Sequence, residues 1–189
     1  EKVERFEARP DKAVATPAFF GSFKVLKNHD LSVRAFYKRM FRMPTFNDLY
    51  YTDMGNAFLK PEYAEQFNVG LKYTRNFEKS PFMRMLDVSV DAYYNKITDK
   101  IIAYPKGQQF RWTMLNLGEV EIKGVDAVLN ALFTLGKLEV TTKFQYTYQK
   151  AIDITDPADT YYRDQIPYIP WHSGSAILAL FYKGWGLNY

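Results

Sequence analysis

The sequence predicts an all-β fold, antiparallel strands running up and down as in a barrel, and three observations predict it. Aromatic residues make up 17% of the 189-residue chain, with Tyr 15, Phe 15 and Trp 3, while charged residues hold an ordinary 24%. Many rings without a greasy block is what strands give when rings line one face and polar groups the other. Successive segments then alternate with a period of two, and their connectors alternate between short and long. No run approaches the ~18 apolar residues of a membrane helix, the longest being 176–182, so a helical membrane protein is excluded.

Alternation defines each element in turn. It is weak over about 18–26, then clear where Leu31, Val33, Ala35 and Tyr37 oppose Ser32, Arg34, Phe36 and Lys38. Phe67, Val69, Leu71 and Tyr73 oppose Gln66, Asn68, Gly70 and Lys72. Residues 86–94 set Leu86, Val88, Val90, Ala92 and Tyr94 against Asp87, Ser89, Asp91 and Tyr93. The pattern returns from Val125 to Phe133 and from Leu138 to Tyr148, and weakly over 173–182. Short turns are expected near 28–30, 76–82, 135–137 and at Lys183-Gly184, and long loops over about 43–62, 97–112 and 151–170. Outer-membrane barrels show this asymmetry because periplasmic turns are short and extracellular loops long. A soluble up-and-down barrel with one open mouth would show it too.

The polar face bears on that choice. It carries Arg34, Lys38, Asp87, Asp91, Glu139, Lys143 and Gln145, and burying so many unpaired charges would cost several kcal/mol each. Either this face meets water in a wide lumen, or it points outward from a soluble barrel with a greasy inside. The remaining composition decides little. Lys plus Arg number 25 and Asp plus Glu 21, a surplus of +4 that is too small to imply a nucleic-acid partner. Cysteine is absent, which removes disulfides, thiolate metal sites and cysteine nucleophiles.

No catalytic constellation emerges. His29 and His172 lack a third metal-ligating neighbour, and both read as ordinary surface or interface histidines. Asp87 and Asp91 share a strand face, but a solvated polar wall explains them better than a glycosidase pair. The HSGSA stretch at 172–176 has no nucleophile elbow, and Gly184 and Gly186 lack a dinucleotide-loop setting. The sequence therefore indicates no enzyme, no metal and no cofactor. Rings and arginines gather instead in the long loops, where such residues serve binding surfaces or mark a membrane interface. The candidate ligand-binding residues are Tyr50, Tyr51, Phe110, Arg111, Trp112, Tyr161, Tyr162 and Arg163.

Three stretches carry a family resemblance. FRMPTFNDLYY at 41–51 with GNAFLKPEYAEQFNVGLKY at 55–73, NLGEVEIKGVDAVLNA at 116–131, and IPYIPWHSGSA at 166–176 together resemble the TonB-dependent outer-membrane receptors of Gram-negative bacteria. Asp126 stands where that family usually has Glu. The resemblance implies a transmembrane barrel of 22 strands around an N-terminal plug, of which this chain would supply about eight strands and no plug. The first residues show neither a start methionine nor a signal core, and WGLNY at 185–189 is short for a spanning strand, so an excised portion of the C-terminal half is expected. The implied activity is import of a scarce large nutrient, a ferric siderophore or other metal chelate, or cobalamin. Its partners would be the TonB complex, reached through the plug, and the bilayer with its lipopolysaccharide. The stretch NDLY at 47–50 is similar to the cobalamin branch, and the poorly placed histidines rank haem last. The motifs supply six structural residues: Arg42, Pro44, Asn56, Pro61, Glu62 and Gly124. An Arg42–Glu62 ion pair at the base of the first long loop is expected, with Pro44 and Pro61 stopping the strands beside it. The competing readings are a self-contained soluble barrel for an apolar ligand and a small outer-membrane adhesin.

Overall fold

A computed structural model describes residues 12–26, 30–106 and 111–189. Eight strands follow in chain order: β1 (Ala18–Lys24), β2 (Asp30–Arg42), β3 (Glu62–Asn76), β4 (Met83–Lys106), β5 (Arg111–Leu135), β6 (Leu138–Asp153), β7 (His172–Tyr182) and β8 (Trp185–Asn188). Each pairs antiparallel with the next, giving one sheet in the order β1 to β8. Among the described residues β1 and β8 pair with only one neighbour each, so the sheet is an open arc rather than a sealed cylinder.

The two faces follow the alternation. Phe67, Val69 and Leu71 on β3 stand 45%, 57% and 50% exposed, and they share their face with Val90, Val125, Leu129 and Phe144 through the register. The opposite face is polar and partly paired within itself. Arg34, Gly70, Asp91 and Asp126 fall on one register row across β2 to β5. Arg34 Nε donates to Asp91 Oδ1 at 3.0 Å, reaching across β3, while Thr147 donates to Asp126 at 2.7 Å. Gly70 makes the Arg34–Asp91 pair possible. A Cβ there would lie 2.8 Å from Asp91 Cγ and 2.9 Å from Arg34 Nε, closer than real side chains come. A second knot joins Thr74, Lys72 and Asn130 to Asp87, at 2.7, 3.3 and 3.2 Å.

Buried apolar residues do not fill the middle of the sheet. Ala64, Ile97, Val120, Ile122, Ala151 and Ile166 form one cluster, with Met40, Tyr93, Leu117 and Ile169 packed on it. Met40, Ala64, Ile97, Val120, Ile122 and Ala151 lie on the polar-face side of their strands, at the end where the long connections fold back. The greasy-inside soluble barrel is therefore excluded: the bulk of the apolar side chains stands on an open face.

Two expectations need correction. Of the long loop expected over 97–112, residues 97–106 and 111–112 are strand instead, because β4 and β5 continue their ladder as far as Lys106↔Arg111 and make one tall hairpin, residues 107–110 lying outside the described residues. The first long loop also holds a helix, α1 (Phe46–Tyr50). Thr45 caps it by accepting from the Asp48 amide, and the Asp48 carboxylate accepts from the Thr45 amide, which offsets two orphan donors of so short a helix.

Candidate functional site

The long connections rise from one end of the sheet, and their bases are built from charged and amide side chains. Arg42 ends β2 and Glu62 opens β3, directly opposite in the register. Arg42 Nη1 lies 3.6 Å from Glu62 Oε2, while its Nη2 donates to Asp48 Oδ2 at 3.0 Å. Arg42 thus bridges the strand ends to α1, and Glu62 also accepts from the Ile101 amide at 3.0 Å, adding β4 to the node. Pro44 is buried beside this node, and Pro61 immediately precedes β3. Asp48, 9% exposed, accepts on its carboxylate from Arg42 and from the Thr45 amide and donates its own amide to Thr45 Oγ1, which makes it the centre of the arrangement. Sequence reasoning passed over it, although the spacing Thr45-x-x-Asp48 is a capping-box signal.

A second set of contacts lays the same loop against the tall hairpin. Asn56 Nδ2 donates to the Met114 carbonyl at 3.0 Å, and the Met114 amide donates to Met54 O at 2.9 Å. Asn116 holds the far side: its Oδ1 accepts from Lys60 N at 2.7 Å and its Nδ2 donates to the carbonyls of Lys60 (3.0 Å) and Asp99 (2.7 Å). The third connection is tied down by Gln165, which accepts from the Ala151 amide and donates to Ile169 O, both at 3.0 Å. Gly124 lies under the Tyr93 ring; a Cβ there would come 2.6 Å from the Tyr148 carbonyl.

The candidate binding residues divide by position. Tyr50 ends α1 and Tyr51 follows it, both exposed. Trp112 stands on β5 with its ring 5.7 Å from that of Tyr168, joining hairpin to third loop. Beside that contact Ile102, Tyr104, Pro105, Ile166, Tyr168 and Ile169 line a mainly apolar cleft of about 260 Å³. Tyr161 and Arg163 are exposed and Tyr162 half-buried on the third loop, where Arg163 adopts φ 68°. Arg111 opens β5, and Phe110, like His29, lies outside the described residues. His172 stands on the apolar face of β7 and shares a hydrogen bond of 2.7 Å with the Tyr146 hydroxyl.

The open apolar face, the paired polar face and the loops anchored at one end are what a wall segment of a wide lipid-embedded barrel requires. Residues 2–189 match the family described as "TonB dependent receptor-like, beta-barrel". The chain belongs to that family. This TonB-dependent receptor barrel is 34% identical over 99 residues, 52% of the chain, to a protein of Vibrio vulnificus named "Vitamin B12 transporter BtuB". It is likewise 34% identical over 113 residues, 56% of the chain, to the protein of that name in Photobacterium profundum. The matches span 14% and 16% of those relatives' own length.

The receptor barrel is an outer-membrane protein; in barrels of that membrane an apolar face meets lipid, a polar face lines the lumen, short turns lie on the periplasmic side and long loops outside. Part of the lumen-facing charge is neutralised within the wall, by the Arg34–Asp91 and Lys72–Asp87 pairs. On the outer surface beyond the lipid-facing band, Lys123 beside Glu121 (2.8 Å) holds that carboxyl below the usual range, with help from the Tyr94 hydroxyl. Glu119, 2.8 Å from Lys96, raises the ammonium in the same way. Receptors and transporters of this family are not enzymes, in keeping with a sequence that holds no catalytic constellation.

Proposed function

We propose that this barrel segment is part of an outer-membrane active transporter that captures cobalamin with its extracellular loops and imports it to the periplasm. The observation that carries the reading is the likeness of more than half the chain to two proteins named as vitamin B12 transporters. The local stretch Asn47-Asp48-Leu49-Tyr50 adds to it, since Asp48 is the residue on which the first loop is built. Tyr50, Tyr51, Trp112, Tyr161, Tyr162 and Arg163, with Phe110 and Arg111, are the proposed contacts to the corrin and its side chains. Rings give contact area at low entropic cost, and guanidinium offers directed donors to amides and phosphate. No bond needs to be made or broken. Capture rests on the loops, and release would follow movement of a plug in the lumen, coupled to TonB; plug and TonB belong to the same proposal.

Uptake of radiolabelled cyanocobalamin tests it, using the full receptor that contains this segment in a host stripped of its own outer-membrane cobalamin receptor. Saturable uptake that disappears when TonB is removed is expected. Import of a ferric siderophore with no cobalamin uptake would overturn the substrate, and import of neither would overturn the transport reading.

A further inference from the structure

We propose that the upper part of the β4–β5 hairpin, Lys100–Lys106 with Arg111–Leu117, is a flap that turns as one body about Asp99 and Gly118 and is latched by the first and third loops. Below those two residues each strand of the hairpin is supported on both sides: β3 pairs with β4 up to Tyr63↔Thr98, and β6 pairs with β5 from Val120↔Asp153. Above them neither flanking strand follows, and the hairpin goes on as a ribbon of two strands. Such a ribbon is marginally stable by itself. The ladder also has a gap at this level. Thr98 pairs with Glu119 and Lys100 with Leu117, while Asp99 and Gly118 between them form no pair. Asp99 takes φ 53°, a left-handed conformation that few residues other than glycine adopt, and Gly118 stands opposite it without a side chain. A few residues at the end of an element that absorb a backbone rotation are what a hinge requires. The third loop sits on this joint: a Cβ on Gly118 would collide with the Thr155 side chain, and Thr155 Oγ1 accepts from the Glu119 amide at 3.0 Å.

Two sets of contacts hold the flap down. From the first loop, Met54 O accepts from the Met114 amide at 2.9 Å and Asn56 Nδ2 donates to the Met114 carbonyl at 3.0 Å. Closer to the joint, Asn116 grips the Lys60 backbone and Glu62 accepts from the Ile101 amide. From the third loop, Tyr168 sets its ring 5.7 Å from that of Trp112. That loop is itself fixed below the joint, since Ile166 is buried in the cluster with Ile97 and Val120 and Gln165 accepts from the Ala151 amide. Tyr168 takes φ 65°, so the ring contact is kept at the cost of local backbone strain. The apolar cleft of about 260 Å³ lies between Ile102, Tyr104 and Pro105 of the flap and the anchored Ile166, Tyr168 and Ile169. Lifting the flap therefore parts Trp112 from Tyr168 and opens that cleft. Few bonds hold each latch, so the flap opens at less cost than the strands beneath it. Because both latches grip one body, loosening either weakens the hold of the other. This does not depend on what the receptor carries.

The test is hydrogen exchange of the purified full receptor in detergent, resolved to single amides. In the wild type the ladder amides of 101–104 and 112–117 should share one opening and exchange about tenfold or more faster than those of 86–98 and 119–133, with the step at Asp99 and Gly118. Y168A should raise exchange of the Met114 amide, which bonds to the first loop, as much as that of the amides beside Trp112, by about threefold or more, and should leave the strands below the joint unchanged. N56A should do the same from the other side. A wild-type profile graded smoothly from the far end of the hairpin to its base would show fraying and overturn the flap whether or not any variant folds, and so would equal protection above and below the joint. An effect of Y168A that stops at the neighbours of Trp112, or of N56A that stops at those of Met114, would overturn the shared latch.

Discussion

Gly70→Ala is the sharpest test of how the lumen wall is held. The added methyl would sit 2.8 Å from Asp91 Cγ and 2.9 Å from Arg34 Nε, so the ion pair that crosses β3 must open or shift. The Arg34 side chain is 38% exposed and that of Asp91 15%, which places the pair between an exposed one, worth about 0.2–1 kcal/mol, and a buried one, about 3–5 kcal/mol when one partner is lost. A loss of about 1.5–2 kcal/mol is the reasonable middle. Against it, alanine restricts the unfolded chain and returns about 0.4–1 kcal/mol. The net expectation is destabilisation by about 1 kcal/mol. In an R34A/D91A background the obstructing side chains are gone, and the same substitution should become neutral or mildly stabilising. Urea unfolding of the full receptor, followed by far-UV circular dichroism, reads both numbers, and the cycle isolates the coupling. An equal penalty in both backgrounds, or stabilisation in the intact one, would refute the argument that Gly70 is there to let the pair cross.

The other predictions concern the loop bases and the outer surface. D48N should cost about 2 kcal/mol, since it weakens both the cap of α1 and the charge-assisted bond from Arg42; its mark is faster cleavage of the first loop in limited proteolysis. R42A and E62A should each loosen that loop, and the double variant should lose less than the sum; purely additive losses would argue against the pairing. N116A removes two hydrogen bonds between first loop and hairpin and a third within the hairpin, to Asp99 O, and should raise hydrogen exchange at the Lys60 amide while leaving the sheet protected. The lowered carboxyl of Glu121 adds stability that is present above the ordinary carboxylate range and lost as pH falls through its folded value. E121Q should therefore flatten the pH dependence of the unfolding midpoint below about pH 5, and an unchanged slope would count against the Lys123 contact.

The strands were legible because each half-buried segment repeats every two residues, and Leu31 to Tyr37 or Val125 to Phe133 can do so only as strands. The tall hairpin was not. Ile101 and Ile102 break the alternation, and Pro105 followed by Gly107 reads as a loop, while the pairing that extends β4 and β5 is recorded in cross-strand register rather than in local pattern. The apolar cluster was hidden for a related reason. Ile97, Val120, Ile122 and Ala151 occupy polar-face positions, and what buries them is a loop residue, Ile166, from another part of the chain. At the site, the Arg42–Glu62 juxtaposition could be foreseen from motif and parity, and the geometry sets the two 3.6 Å apart. Asn116 could not, since its partners are backbone groups of the first loop and of β4 whose positions no spacing reveals; at Asp48 the capping-box spacing was there to be read, but not the bond from Arg42.

These differences bear on how such a wall can select a ligand without losing its shape. Along the middle of the sheet neither face offers a packed core, so the strands are held by ladders, by pairs that cross a strand over glycine, and by lipid on the other side. At the extracellular end the apolar cluster and the Arg42–Asp48–Glu62 node fasten each loop at its base. Beyond those anchors the rings of Phe46, Phe58 and Tyr161 stand 75%, 88% and 70% exposed. Substituting them should alter what is captured at little cost in stability, whereas substituting the anchors should cost stability and capture together. A comparison of F58A with D48N, scoring unfolding midpoint against cobalamin affinity, separates the two classes. If F58A lowers the midpoint as much as D48N does, the division of labour between base and tip is wrong.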